Sequence, residues 1–404
     1  MRNHGWKSII HIKFIGIEKM GGCRMSLFVR NEKQRPWIEK IGQLADEFQQ
    51  TAAEDDEQGR FPAEKIQKLR DSGYTAITVP KSHGGAGMSV YDMLLFQERL
   101  ARGDAPAALS IGWHLSVMGE LGEGNSWDED VFAFIAKEVQ NGAVINRAAT
   151  EAKTGSPTRG GRPGTAAVKK DGKWVVNGRK TFTTMSQALD YFLVTAWIEE
   201  KQTTGVVLVH KNDPGVSIEE TWDMMAMRAT GSHDLVLNEV TLEDNKLVEL
   251  LQGPRGAKPN GWLLHIPAVY LGVAQAARDY AVRFASEYSP NSLKGPIKDV
   301  PAVQQRTGEM ELELLNARHF LFHAAELYDD PERRPYLKSE LGAAKHIVTN
   351  AALSVVDKAM RIAGAKSLER TNPLQRYYRD VRAGLHNPPM DDAVIQKLAA
   401  EAFH

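Results

Sequence analysis

The stretch 143–197 sets the strongest constraint on the fold, because its apolar residues recur with period two while the chain on either side keeps the helical period. A pattern of one period is a poor fit to the other element, so a sheet must sit between two helical regions. Residues 153–164 form a loop of small residues, after which Trp174 and Val176 alternate with other side chains. Asn177-Gly178 is the expected hairpin turn. Beyond it stands Thr181-Phe182-Thr183-Thr184, an aromatic among hydroxyls, and then Tyr191–Ile198, an apolar run expected as a buried strand. Such a ring, flanked by hydroxyls and loop amides, suits a flat polar heterocycle that stacks on the ring and is bonded along its edge.

The flanks read as helices. Ile38, Ile41, Leu44, Ala45 and Phe48 keep helical spacing, 54–59 reads as an acidic turn, and Pro62 opens a helix that Gly73 closes. Residues 74–80 are expected to be extended. The cluster Ser82-His83-Gly84-Gly85-Ala86-Gly87 lacks the Lys-Ser/Thr of a phosphate loop and is expected as a tight connection. Ser89 with Asp92 predicts a capping box for the next helix. Strand patterns resume at 205–210 and 234–240. Past Asn260 the chain is predicted to be helical at 261–287, 303–328, 336–363 and 391–403, the makings of a bundle.

Several motifs carry a resemblance. Thr150-Glu151-Ala152-Lys153-Thr154-Gly155-Ser156-Pro157, Asn177-Gly178-Arg179-Lys180 and Phe182-Thr183-Thr184-Met185 resemble the middle-domain motifs of the acyl-CoA dehydrogenases, although a Pro, an Asp and an Asn of that pattern are missing. Gly73-Tyr74, Val79-Pro80 and Glu98-Arg99-Leu100-Ala101 resemble the N-terminal domain of that family. Gly272-Val273-Ala274-Gln275-Ala276-Ala277 and Arg379-Asp380 resemble its C-terminal domain. The resemblance implies an α+β multidomain fold: an N-terminal helical domain over 25–142, a middle β-barrel-like domain over 143–250 and a C-terminal helical bundle over 251–404. It also implies FAD at their junction, an acyl-CoA substrate of the kind met in fatty acid metabolism, an electron-transfer partner and a homotetramer. By motif match, Thr150, Ser156, Phe182, Thr183 and Thr184 would contact the flavin, and Gly364 would lie on its adenosine side. Arg228, in Met227-Arg228-Ala229-Thr230-Gly231-Ser232, reads either as a brace of the β-domain or as a substrate contact.

The chemistry departs from that pattern. Members of the family deprotonate the thioester's α-carbon with a glutamate whose pKa is raised in a dry pocket. Counting on from Arg379-Asp380, its slot is Pro388; the alternative slot, before Gly272, is Trp262. These gaps resemble a flavin monooxygenase branch of the same fold, which takes reduced flavin, often FMN, from a separate reductase. That branch implies neutral hydrogen-bond donors near the flavin, with His386, Ser186 and His114 as candidate catalytic residues. Three readings stay open: acyl-CoA dehydrogenation, which the breadth of the resemblance puts first, monooxygenation, and a silent binder.

Composition excludes little else. A chain of 404 residues suggests two or three domains, and a net charge of −1 gives no reason to expect nucleic acid or an anionic membrane as partner. Cys23 is the sole cysteine, so no intrachain disulfide or cysteine-based metal site is expected, which suits a reducing, cytoplasmic setting. The apolar patch at 9–17 is short of the roughly 20 residues a membrane span needs. Residues 1–24 are expected to be a leader ahead of a native start at Met25.

Overall fold

Ahead of the sheet the chain folds into six helices among the residues that the computed structural model describes, 27–124, 126–155, 161–251 and 259–403. They are α1 (Gln34–Gln49), α2 (Ala52–Gln58), α3 (Ala63–Asp71), α4 (Val90–Gly103), α5 (Ala105–Gly124) and α6 (Glu129–Gln140). The leader expectation for 1–24 and the proposed flavin contact Ser156 fall outside the described residues. Helix α2 replaces the acidic turn expected at 54–59. Its acids turn inward because cations meet them: Asp55 takes Lys65 at 2.7 Å and Arg60 at 2.5 Å, and Asp56 takes Arg379 at 3.0 Å. The capping box of α4 forms as expected, with Ser89 Oγ accepting the Asp92 N–H at 3.3 Å and the Asp92 carboxylate accepting the Ser89 N–H at 3.2 Å. Residues 74–80 are not extended. A 3-10 turn, Tyr74–Ala76, buries the Tyr74 ring, whose hydroxyl donates to Gln97 at 3.1 Å.

The middle sheet contains β1 (Ile145–Ala148), β2 (Ala166–Lys170), β3 (Lys173–Lys180), β4 (Tyr191–Ile198), β5 (Thr203–His210), β6 (Val216–Glu219), β7 (Asp234–Leu242) and β8 (Leu247–Leu250). Its order is β6-β7-β3-β2-β4-β5-β8, and β1 pairs in parallel with β4. The apolar run of β4 is buried along all but one of its positions, as a strand covered on both faces must be. The β2–β3 hairpin turns at Asp171-Gly172, with φ of 49° and 81°, and not at Asn177-Gly178. Turning at 171 leaves β3 long enough to pair with both β2 and β7 while burying Trp174 and Val176. Asn177-Gly178 instead marks an irregularity against β7, where Asn177 Oδ1 accepts the Glu239 N–H at 2.8 Å.

The C-terminal helices are α7 (His265–Glu287), α8 (Pro301–Asp329), α9 (Glu340–Ala363), α10 (Pro373–Arg382) and α11 (Asp391–Phe403). Helix α10, absent from the sequence reading, starts with Pro373 behind an Asn372 cap that accepts the Leu374 N–H at 3.0 Å. Small residues on α7 let α4 approach closely; a Cβ on Gly272 would stand 2.5 Å from the Glu98 carbonyl oxygen. Glu98 is buried there and paired with Arg318 of α8 at 2.6 Å, which ties the first helical domain to the last. Among the described residues no helix is long and apolar enough to cross a membrane.

Candidate functional site

The segment between β6 and β7 is where the three domains converge. Arg228 Nε donates to the Asp56 carbonyl of α2 at 2.6 Å. The Met227 N–H donates to Asp380 Oδ1 of α10 at 2.7 Å, and Arg379 donates to the Met225 carbonyl at 2.7 Å. The other side of this segment holds the turn that follows β3. There the Thr183 N–H donates to His233 O at 3.2 Å, and the Met185 N–H donates to Thr230 O at 2.9 Å. The Ser186 hydroxyl donates to Gly231 O at 2.9 Å. Helices of both flanking domains therefore fix the loop, and the loop fixes the turn.

The turn is strained. Phe182 and Met185 have φ of 56° and 52°, a left-handed conformation that costs a non-glycine residue about 1 kcal/mol or more. It leaves Phe182 54% exposed, with an edge contact to the Trp222 ring at 5.6 Å between centroids. Beside it Thr183 is fully buried, yet its Oγ1 has no hydrogen-bond partner among the described residues. A buried hydroxyl left unbonded costs about 1–3 kcal/mol. Thr184 Oγ1 accepts from Ser232 Oγ at 3.1 Å, and Ser232 shares a 2.8 Å bond with Thr230. An open aromatic face next to an unbonded hydroxyl fits a flat heterocycle with polar edges.

Two motif residues serve to hold this arrangement. Glu151 is buried and accepts from Lys180 Nζ at 2.6 Å, Thr165 N–H at 2.9 Å, Thr165 Oγ1 at 2.7 Å, Gly164 N–H at 2.7 Å and Thr154 Oγ1 at 2.7 Å. Burial opposes its charge, but Lys180 and the surrounding donors outweigh burial and hold the carboxyl down to about 2. The pair pins the loop so that the Thr150 carbonyl accepts the Thr181 N–H at 2.8 Å, next to Phe182. The sequence places both residues in motifs but gives neither a role at the site. Their only signal is an acid and a lysine in two motifs at a fixed separation.

Other expected site residues are placed elsewhere. His114 is fully buried; its Nδ1 accepts the Ile145 N–H at 3.0 Å and its Nε2–H donates to Thr75 O at 2.9 Å. Burial lowers it to about 4 despite those bonds, leaving an imidazole with both ring nitrogens bonded to backbone. Ser186 Oγ donates to Gly231 O, and Arg228 Nε donates to the Asp56 carbonyl of α2. Gly364 ends α9 with φ 62° and is exposed. His386 is exposed on the loop after α10, where its neighbour Asn387 accepts the Tyr270 hydroxyl at 2.5 Å. Among the described residues no hydrogen bond joins His386 or Gly364 to the Phe182 turn.

Neither base slot carries an acid. Pro388 has no ionisable group, and Trp262 is buried with its indole against Gly119. The carboxylates that follow are committed: Asp391 to Lys345 at 3.1 Å and Asn350 at 2.9 Å, and Asp392 to the Ala393 N–H at 2.9 Å. Burial raises Asp380 to about 6, helped by Asp56 and opposed by the Met227 N–H, and its Oδ1 already holds the 225–231 loop.

Known families resolve the architecture. The acyl-CoA dehydrogenase N-terminal domain matches residues 31–124, the middle domain 146–240 and the C-terminal domain 264–387. The chain belongs to the acyl-CoA dehydrogenase family. YdbM of Bacillus subtilis (strain 168), which carries the provisional name of an acyl-CoA dehydrogenase, is 90% identical over 94% of this chain and 100% of its own length. L-evernosamine nitrososynthase of a Micromonospora species is 28% identical over 82% of this chain and 81% of its own. Acyl-CoA dehydrogenases stand at that same identity, so likeness alone does not separate the chemistries within the family. The structure of KijD3 in complex with FMN and a dTDP-linked amino sugar superposes with a TM-score of 0.80 at 26% identity, covering 93% of this chain and 95% of that one.

Proposed function

We propose that this member of the acyl-CoA dehydrogenase family is a flavin-dependent monooxygenase supplied with reduced flavin by a separate reductase. The observation that carries the reading is the pair Pro388 and Trp262, which leaves no carboxylate at either base position. A flavin bound in the reduced state supplies the electrons and the oxygen-transfer chemistry. Phe182 offers its exposed face for stacking, the loop amides near Thr150 bond the polar edge, and the Glu151–Lys180 pair holds that loop still. FMN is the flavin that the monooxygenase branch most often takes, and on that reading Gly364 serves as the stop of α9. His386, exposed beyond α10, is available as a neutral donor and proton carrier at the substrate side. A homotetramer accords with Leu312, Leu315 and Phe320 exposed on α8. The single cysteine accords with a cytoplasmic setting.

The second reading is α,β-dehydrogenation of an acyl-CoA, supported by the name that YdbM carries. It requires a base from outside the two usual slots. One anaerobic titration separates the readings. Acyl-CoAs of varied length are added to the flavin-loaded protein while the oxidised-flavin absorbance is followed. Unchanged absorbance is expected, together with tight binding of reduced FMN whose reaction with oxygen differs kinetically from that of free reduced FMN. Bleaching by any acyl-CoA would overturn the monooxygenase reading.

A further inference from the structure

Phe182 and Trp222 stand on different loops, and one residue holds both loops. The two rings meet at 79° with 5.6 Å between centroids. Phe182 lies on the turn after β3, where the Thr183 N–H donates to the His233 carbonyl at 3.2 Å. Trp222 follows β6, and there it is the His233 ring that binds: Nδ1 accepts the Thr221 N–H and the Trp222 N–H, each at 3.0 Å. The far end of Trp222 is held separately, its indole Nε1 donating to the Met227 carbonyl at 3.2 Å.

Two donors aimed at one nitrogen fix the state of the imidazole. Nδ1 offers a lone pair only while it carries no proton, so the neutral ring bears its hydrogen on Nε2. A proton on Nδ1 would point at both N–H groups and turn two attractions into two repulsions. His233 is half-buried, and burial lowers it below the ordinary value of about 6.5, although Glu220 and Asp234 act to raise it. Both of those carboxylates are engaged, Glu220 with Gln187 at 2.8 Å and Asp234 with Arg179 at 2.7 Å. Arg179 also reaches Glu219 at 2.5 Å, and Asp223 lies 3.9 Å from Arg228.

We propose that His233, as the neutral Nε2–H tautomer, is a positioning residue of the flavin site, and that its protonation frees Trp222 and weakens flavin binding. It acts through Trp222, whose edge contact limits the directions open to the exposed Phe182 ring. The inference rests on the reading that places the flavin against Phe182.

The test is flavin affinity of the full-length apoprotein against pH. Riboflavin is the probe, because it lacks the phosphate of FMN, which titrates in the same range. Wild type is expected to bind it about tenfold more weakly at about pH 5 than at about pH 8. His233→Asn sets a carbonyl oxygen where Nδ1 stands and takes up no proton. It is expected to match wild type at the higher pH and to lose most of the pH dependence. His233→Leu has no acceptor and is expected to bind about tenfold more weakly at both. Asp380, which titrates near 6 and holds the same loop, is common to all three, so the difference between wild type and Asn belongs to His233. A pH dependence that Asn retains in full, or equal affinity of Leu and wild type at the higher pH, would overturn the proposal. Phe182→Ala tells this failure from failure of the flavin reading, since weaker binding by that variant keeps the flavin at Phe182 whatever His233 does. Nitrogen NMR of the flavin-free protein gives a readout independent of binding. The Nε2–H tautomer is expected at the higher pH, and an Nδ1–H tautomer would also overturn the proposal.

Discussion

Lys180 Nζ lies 2.6 Å from Glu151 Oε1 with both side chains buried, so one ion pair joins the loop that carries Thr150 to the strand that leads into Phe182. Removing one partner strands the other's charge in the interior. Glu151→Gln is expected to destabilise by about 3–5 kcal/mol, and Lys180→Met by a similar amount. The double variant should lose less than their sum, because neither charge is left alone. Urea unfolding of the three variants measures the coupling; strict additivity would show that the pair does not hold the loop.

Phe182 should matter to ligand and not to fold. Its ring is 54% exposed, so Phe182→Ala removes little buried surface. A stacking face is worth roughly 1–1.5 kcal/mol, or about tenfold in affinity. Titration of the apoprotein with FMN, followed by flavin fluorescence, is expected to show that loss for Ala and recovery for Trp. An unchanged affinity would remove Phe182 from the cofactor site.

The buried histidines set the acid limit of the fold. His114 and His265 are lowered to about 4 and about 3, against about 6.5 when unfolded. In the interval below 6.5 the unfolded chain binds protons that the folded chain refuses, so this stability is complete above about pH 6.5 and is lost as the pH falls toward 4 and 3. Asp380 acts in the opposite sense and offsets one of the two. The net loss is of order 1.4 kcal/mol per pH unit between about 6 and 4. His265→Leu should flatten the slope of unfolding free energy against pH, and an unaltered slope would contradict the burial of that ring.

Asp380 makes a separable prediction. Its folded pKa of about 6 exceeds the usual 3.8, so its favourable contribution is present below about pH 3.8 and is lost as the pH rises through 6. Asp380→Asn keeps a carbonyl acceptor for the Met227 N–H and removes the buried charge. It is expected to be more stable than wild type at pH 7, by up to about 3 kcal/mol, with the gain vanishing below pH 4. A loss of stability at pH 7 would mean that Arg376 and Arg379 depend on the charge more than burial opposes it.

By itself the sequence determined what nearest neighbours decide. The change of period at the sheet, the apolar run of β4, the α4 capping box and the motifs around Phe182 were all legible, because each depends on residues a few positions apart. Partner choice was not. The acids at 55 and 56 read as part of an acidic turn, and only packing shows Asp56 meeting Arg379, 323 residues on. Asn177-Gly178 carries the stronger local turn signal, yet pairing with β7 draws it into a strand and leaves the turn to Asp171-Gly172. His114 and His265 sit on helices with no local mark of difference. One finds two backbone partners and the other finds none among the described residues, because what surrounds a buried ring is set by elements that arrive from elsewhere in the chain. Local free energies select elements, and the desolvation of polar groups on packing selects which of them must pair.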